Sequence, residues 1–170
     1  SDNLRIAAGA PSVDFEMGMS NFTIEAWVLM KSSLANSQAI GMGKLGGNSG
    51  WQLLNLASGQ WRFFVGNGTV QIDKNAGTDT RDDKWHLITV VIDRTADTLA
   101  FYRDGAFTNS NDISAVTGNV NGSGAVFNIN GNFVNDVIWV DELCVTKRKL
   151  TVTEMVARYN GRTMYGDWGM

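Results

Sequence analysis

Residues 83–105 read DKWHLITVVIDRTADTLAFYRDG and hold the chain's one histidine, His86, directly after Trp85. Ser/His/Asp and Cys/His catalysis both need a histidine as base, so this side chain decides whether that chemistry is open. It stands at the end of the face shared by Ile88, Val90 and Ile92. On such a face a histidine is expected to be a packed, hydrogen-bonded wall residue with a structural partner, not a general base. Glycoside hydrolysis needs two carboxyls roughly 5–10 Å apart across a cleft. One strand supplies such a pair only from same-face positions, and no segment here does so. Asp141 and Glu142 are consecutive, and Glu25 is the one acid of its segment. A catalytic pair would require Glu25 and Glu142 to meet across strands.

Asp141 alternates with Leu143 and Val145 in VIWVDELCVTK (137–147) and is expected to point inward. A buried carboxylate must be hydrogen-bonded, paired or metal-bound. Backbone N–H groups of a neighbouring loop are the simpler partners. Calcium, completed by loop carbonyls and a second Asp, is the other candidate. No cofactor is required by any motif, since neither a phosphate loop nor a dinucleotide fingerprint is present. Cys144 is the only cysteine, which rules out an intrachain disulfide and argues against a cysteine zinc site. It is expected to be a small buried hydrophobe.

Six tryptophans are many for 170 residues. A tryptophan can stack on the apolar face of a sugar while neighbouring polar groups take the hydroxyls, or it can fill a core. Trp27 and Trp85 lie in the most regular segments and are expected in the core. Trp51 follows a Gly-rich loop, Trp139 sits beside the loop NINGNFVND (128–136), and Tyr102 opposes the Leu99/Phe101 face. These three are the candidate stacking residues. Trp61, which starts a strand, and Trp168, in the tail, belong to the same group. Asn48, Asn130, Asn132 and Asn135 are the candidate hydrogen-bonding partners of a ligand.

The elements that must position these groups are strands. FTIEAWVLM (22–30) puts Phe22, Ile24, Ala26 and Val28 on one face and Thr23, Glu25 and Trp27 on the other. HLITVVID (86–93) and TLAFYR (98–103) alternate likewise. Further strands are predicted at 4–8, 38–43, 51–57, 60–66, 69–73 and 126–130. Between them stand Gly46-Gly47-Asn48-Ser49-Gly50, Ser58-Gly59, Gly66-Asn67-Gly68, Asp104-Gly105 and Asn121-Gly122-Ser123-Gly124. Such pairs supply the positive φ of tight turns. About ten strands without alternating helices predict an all-β, two-sheet antiparallel sandwich. One short C-terminal helix is predicted. Thr151 and Glu154 form its capping box, and Val152, Met155, Val156 and Tyr159 its apolar stripe. Asn160-Gly161 is its expected end. The chain reads as a single domain over 1–170, with its core at about 4–160 and a tail at 161–170.

A net charge of -3 and a pI near 5.0 argue against a nucleic-acid face. No apolar run reaches the ~18 residues of a membrane helix, so no membrane insertion is expected. Low charge with much Asn, Gly, Ser and Thr suits an extracellular or cell-surface domain of a larger exported protein.

FTIEAWV (22–28), GWQLLNL (50–56), KWHLITVVIDR (84–94), TLAFYRDGAF (98–107) and VDELCVTKRKLTVTEM (140–155) follow one another in this order. In that order they resemble the laminin G-like, concanavalin A-like jelly-roll family over about residues 4–160. Leu87 departs from the pattern where many members carry a second histidine, and Cys144 and Lys147 are also unusual. The resemblance implies two curved antiparallel sheets and a non-catalytic role in glycan binding or adhesion, sometimes with calcium at the rim. Related glucanases carry E-x-D-x-x-E on a strand, a spacing not found here. The expected function is thus a carbohydrate-binding or adhesion module whose partner is a glycan or a surface protein. A structural or protein-interaction domain in a surface or virion assembly is the alternative, and a hydrolase or lyase the least favoured.

Overall fold

The computed structural model describes residues 4–6, 15–34, 41–122, 127–130 and 138–163. Strands β1 (Leu4–Ile6), β10 (Phe127–Asn130), β3 (Gly41–Gly46), β4 (Ser49–Asn55), β5 (Trp61–Asn67) and β6 (Gln71–Asn75) form one sheet in that spatial order. Strands β11 (Ile138–Thr146), β2 (Phe22–Met30), β7 (Trp85–Asp93), β8 (Thr98–Arg103) and β9 (Ala106–Asp112) form the other. Every pairing between these strands is antiparallel. The predicted sandwich is thus the observed one. β9 has no counterpart among the predicted strands, because AFTNSND offers almost no apolar alternation. It forms as the return arm of the Asp104-Gly105 turn, where both residues have positive φ (56° and 75°).

The core lies between the sheets. β2 contributes Phe22, Ile24, Ala26, Val28 and Met30, and β7 contributes Ile88, Val90 and Ile92. The six-stranded sheet answers with Trp51, Leu53, Trp61, Phe63 and Val65. β2 is buried along its whole length, so its second face must be covered too. Over Glu25 and Trp27 the cover is helix α1 (Val152–Thr163). Its capping box forms as predicted: Glu154 N–H donates to Thr151 Oγ1 (3.2 Å), and Thr151 N–H donates to Glu154 Oε2 (2.8 Å). Leu150 just before the cap and Met155 in the first turn pack together on Val91, a hydrophobic staple that fixes how the chain enters the helix.

The helix departs from its predicted stripe and end. Met155 is buried, but Val152 is exposed and Val156 is half-exposed, lying against Gly105. Its seat is made instead by Met155, Arg158 and Tyr159. Arg158 forms an ion pair with the buried Glu25, and Tyr159 stacks on Trp27 at 5.7 Å. The helix thereby supplies the counter-charge of Glu25, since an uncompensated buried carboxylate is costly. Gly161 does not stop the helix, because its φ is not positive and it takes no left-handed cap.

Candidate ligand-binding site

Cross-strand register assembles the site. On the outer face of the five-stranded sheet, Trp139 of β11 lies directly opposite Leu29 of β2, and Leu29 directly opposite Trp85 of β7. Directly opposed residues of antiparallel strands point to the same face. The three therefore make one row, with the tryptophans two strand spacings, about 10 Å, apart. Leu29 is only 7% exposed, whereas Trp139 and Trp85 are 38% and 37% exposed. The row thus has a closed aliphatic floor between two half-exposed indoles. Trp27, one row further along β2, is buried beneath Tyr159, so the helix borders the row on one side. On the other side the Lys31 ammonium lies 5.2 Å from the centre of the Trp139 ring and 3.9 Å from Asp83.

The predicted site residues separate. Trp139 is in the row. Trp51, expected as a stacking platform, is instead fully buried between the sheets. It packs on Phe22, Phe63 and Phe127, and its indole N–H donates to Phe15 O at 3.0 Å. Its pairing partner across β5, Val65, lies on the inner face, which dictates the burial. Tyr102 sits two rows away. It packs beside Val91, Leu150 and Met155 and meets Phe107 edge-on at 5.7 Å. Asn48 occupies the β3–β4 turn (φ 64°). That turn lies at the far end of the sandwich, where the neighbouring Ser49 hydroxyl bonds Asn121 O. Asn130 ends β10 opposite Gly41, at the same end as Trp139. Asn132 and Asn135, like Trp168, lie outside the described residues. Trp85, expected in the core, is the residue that sequence reasoning missed. It opens β7 next to the exposed run Asp82-Asp83-Lys84, a position where the end of a strand leaves its neighbours behind.

Asp141 does not point inward. A β-bulge falls between Asp141 and Cys144, centred on Glu142 with φ 48°. It shifts the alternation of β11 by one residue. Val140, Leu143 and Val145 all pack on the core, while Asp141 pairs with Trp27 on the outer face and is exposed. The Asp141 Oδ1 accepts the Glu142 N–H at 2.8 Å. Among the described residues no group of three or more His, Cys, Asp or Glu side chains is placed to hold a metal ion. Cys144 is also on this face, exposed, and 3.9 Å from Arg158, contrary to its expected burial.

Glu25 is opposite Cys144, not Glu142, and is buried beneath Arg158. Burial raises its pKa, against the lowering effect of Arg158. His86 is packed and hydrogen-bonded, as its pattern predicts. It is 8% exposed, with Nδ1 2.7 Å from Asp104 Oδ2 and Nε2 2.9 Å from Asp82 Oδ1. On the outer face of the other sheet, Phe64 is capped by the Arg62 guanidinium at 4.5 Å, itself paired with Asp73.

This sandwich matches the concanavalin A-like lectin/glucanases superfamily over residues 5–155, and the chain belongs to that family. No curated protein matches it. Among solved structures it is similar to the binding domain of Paraclostridial Mosquitocidal Protein 1, with TM-score 0.73 and 15% identity, covering 94% of this chain and 41% of that one. It is also similar to the binding domain of botulinum neurotoxin DC in complex with rat synaptotagmin II (0.70, 16%, covering 94% and 40%). A third is botulinum neurotoxin type C, which depends upon interaction with two ganglioside molecules to get into cells (0.69, 17%, covering 94% and 39%). The chain spans about two fifths of the length of these structures, and identities this low speak for shared fold alone.

Proposed function

We propose that this chain is a non-catalytic binding module that seats a carbohydrate on the Trp139–Leu29–Trp85 row. One observation carries the reading: two half-exposed indoles share one cross-strand row, with a buried leucine between them. Indoles so placed offer flat apolar surface to the faces of a sugar chain, while Asp141 and Lys31 beside Trp139 can take its hydroxyls. The fold relatives that engage gangliosides and synaptotagmin lend support to a glycan or a surface protein as partner, and to an extracellular or cell-surface setting.

The test is a glycan array probed with folded chain, in calcium and in chelator, followed by titration of any hit through tryptophan fluorescence. Trp139→Ala and Trp85→Ala are each expected to weaken binding about tenfold, the scale of one lost aromatic contact, with thermal unfolding nearly unchanged. Absence of any glycan hit with folded protein overturns the reading. A protein partner is the second reading, favoured by the same row, since tryptophans ringed by less exposed groups also anchor protein interfaces. Binding to a protein that survives its deglycosylation and is lost in both variants would select it.

A further inference from the structure

We propose that His86 is a pH-operated latch that ties the segment Arg81–Lys84 to the sheet and thereby sets the Lys31 edge of the tryptophan row. The biological meaning of the latch rests on reading that row as the ligand seat, but its physical operation does not. The imidazole joins two separate connections. Asp82 belongs to the segment between β6 and β7, and Asp104 to the β8–β9 turn. Both ring nitrogens face carboxylate oxygens, an arrangement that only the doubly protonated ring satisfies with two donated hydrogen bonds. Among the described residues the charged groups around the ring are these two acids and Arg103, whose Nε is 4.0 Å from Asp104 Oδ2. From β2 the ring is opposed by Val28, which does not titrate.

Loss of one proton leaves a ring that donates once and turns a lone pair toward the other carboxylate. The geometry chooses which contact yields. Asp104 is fixed independently, since its Oδ1 accepts the Leu87 N–H (2.9 Å) and its own N–H donates to Leu87 O (2.9 Å). Asp82 is the more exposed of the two acids, and its other hydrogen bond, from the Lys84 N–H to Oδ1 (3.2 Å), stays within its own segment. Deprotonation therefore releases Asp82. The next residue transmits the release. Asp83 N–H donates to Met30 O (3.1 Å), and Asp83 Oδ1 accepts the Ser32 N–H (3.3 Å). The same carboxylate holds Lys31, whose ammonium lies over Trp139. The connection thus runs from His86 through Asp82 and Asp83 to Lys31 and Trp139, while Trp85 adjoins His86 directly. The Asp104 hydrogen bond, opposed by burial, holds the His86 pKa above its ordinary value near 6.5, so the latch opens on the neutral side of that value.

The test needs no ligand, and so fails or succeeds separately from the carbohydrate reading. Indole N–H signals of the 15N-labelled full chain are followed by NMR between about pH 5.5 and about pH 8, a window in which histidine titrates and ordinary carboxylates do not. Trp85→Phe and Trp139→Phe assign the two signals. Both are expected to move on one curve with a midpoint above about 6.5. In Asp82→Asn the midpoint falls and the Trp139 movement is lost, while Trp85 still responds to its neighbour. In His86→Gln both signals are flat. A Trp139 signal that does not titrate in the parent chain overturns the latch, as does one that still titrates in Asp82→Asn. Since Asp82 is a surface residue, this second variant keeps the test decisive should His86→Gln fail to fold.

Discussion

Two tryptophans of the same chain illustrate how little a side chain's identity says about its job. Trp51 and Trp139 both carry a large apolar ring beside a loop rich in Gly or Asn. The first is wedged among three aromatic rings and has its N–H satisfied internally. The second is open to solvent on one side. Their truncations should therefore separate cleanly. Trp51→Ala is expected to cost about 3–5 kcal/mol, and Trp139→Ala less than about 1 kcal/mol, as read by urea unfolding of the two variants. Equal losses would mean that Trp139 is a core residue and not a platform. The burial of His86 was legible in its sequence because its neighbours at alternate positions are all aliphatic. The exposure of Trp85 was not, because one residue at the end of a strand leaves no periodic trace. Whether such a residue is covered depends on the connection that precedes it.

At the scale of elements, alternation located ten of the eleven described strands and failed where a strand breaks its own rhythm. β11 reads as a single alternating segment, so Asp141 falls in phase with Leu143 and Val145. The bulge at Glu142 puts them on opposite faces. Nothing in VDELCV marks the bulge, since glutamate is not a residue that favours φ near 50°. Only the pairing with β2 creates it. The helix was legible at its start, where local chemistry decides, and not in its docking face, which meets a buried acid distant in sequence. The cap is accordingly a local and separable contribution. Thr151→Ala should lower stability by about 1 kcal/mol and the melting temperature by about 2–4 °C, whereas Thr151→Gly should cost only a few tenths of a kcal/mol. Thermal unfolding of the three chains checks the order.

The whole molecule has two unlike ends. One is sealed by asparagine amides and backbone. Asn21 Oδ1 accepts the Arg94 N–H (2.7 Å), Asn121 Oδ1 accepts the Gly18 N–H (2.6 Å), and Asn67 Oδ1 accepts the Thr69 and Val70 N–H groups (2.9 and 2.7 Å). Asp93 belongs to this end. It is buried, accepts the Thr95 and Ala96 N–H groups, and pairs with Lys149 Nζ at 2.7 Å. The Lys149 hydrogen bond, the largest influence, holds its carboxyl below the ordinary value of 3.8. A depressed carboxylate stabilises the fold above its unfolded pKa and loses that contribution as pH falls through the folded value. Stability should therefore decline as pH falls below about 4. In Asp93→Asn the decline should be shallower, from a lower starting stability. Denaturant midpoints between about pH 2 and about pH 6 check this, and parallel curves for the two chains would remove Asp93 from the account.

The opposite end carries the half-exposed indoles, and the bulge at Glu142 has a consequence for how that end can change. β11 is in effect two short strands in series, with opposite parity. The first, Ile138–Asp141, bears the exposed Trp139 and Asp141, and the second, from Leu143 to Thr146, bears Cys144, 3.9 Å from Arg158 of the helix. Because the phase is reset between them, a library that varies the first half leaves the in–out pattern of the second undisturbed. Substitutions at the tryptophan row, the proposed ligand seat, therefore need not disturb the half of the strand that leads into the helix.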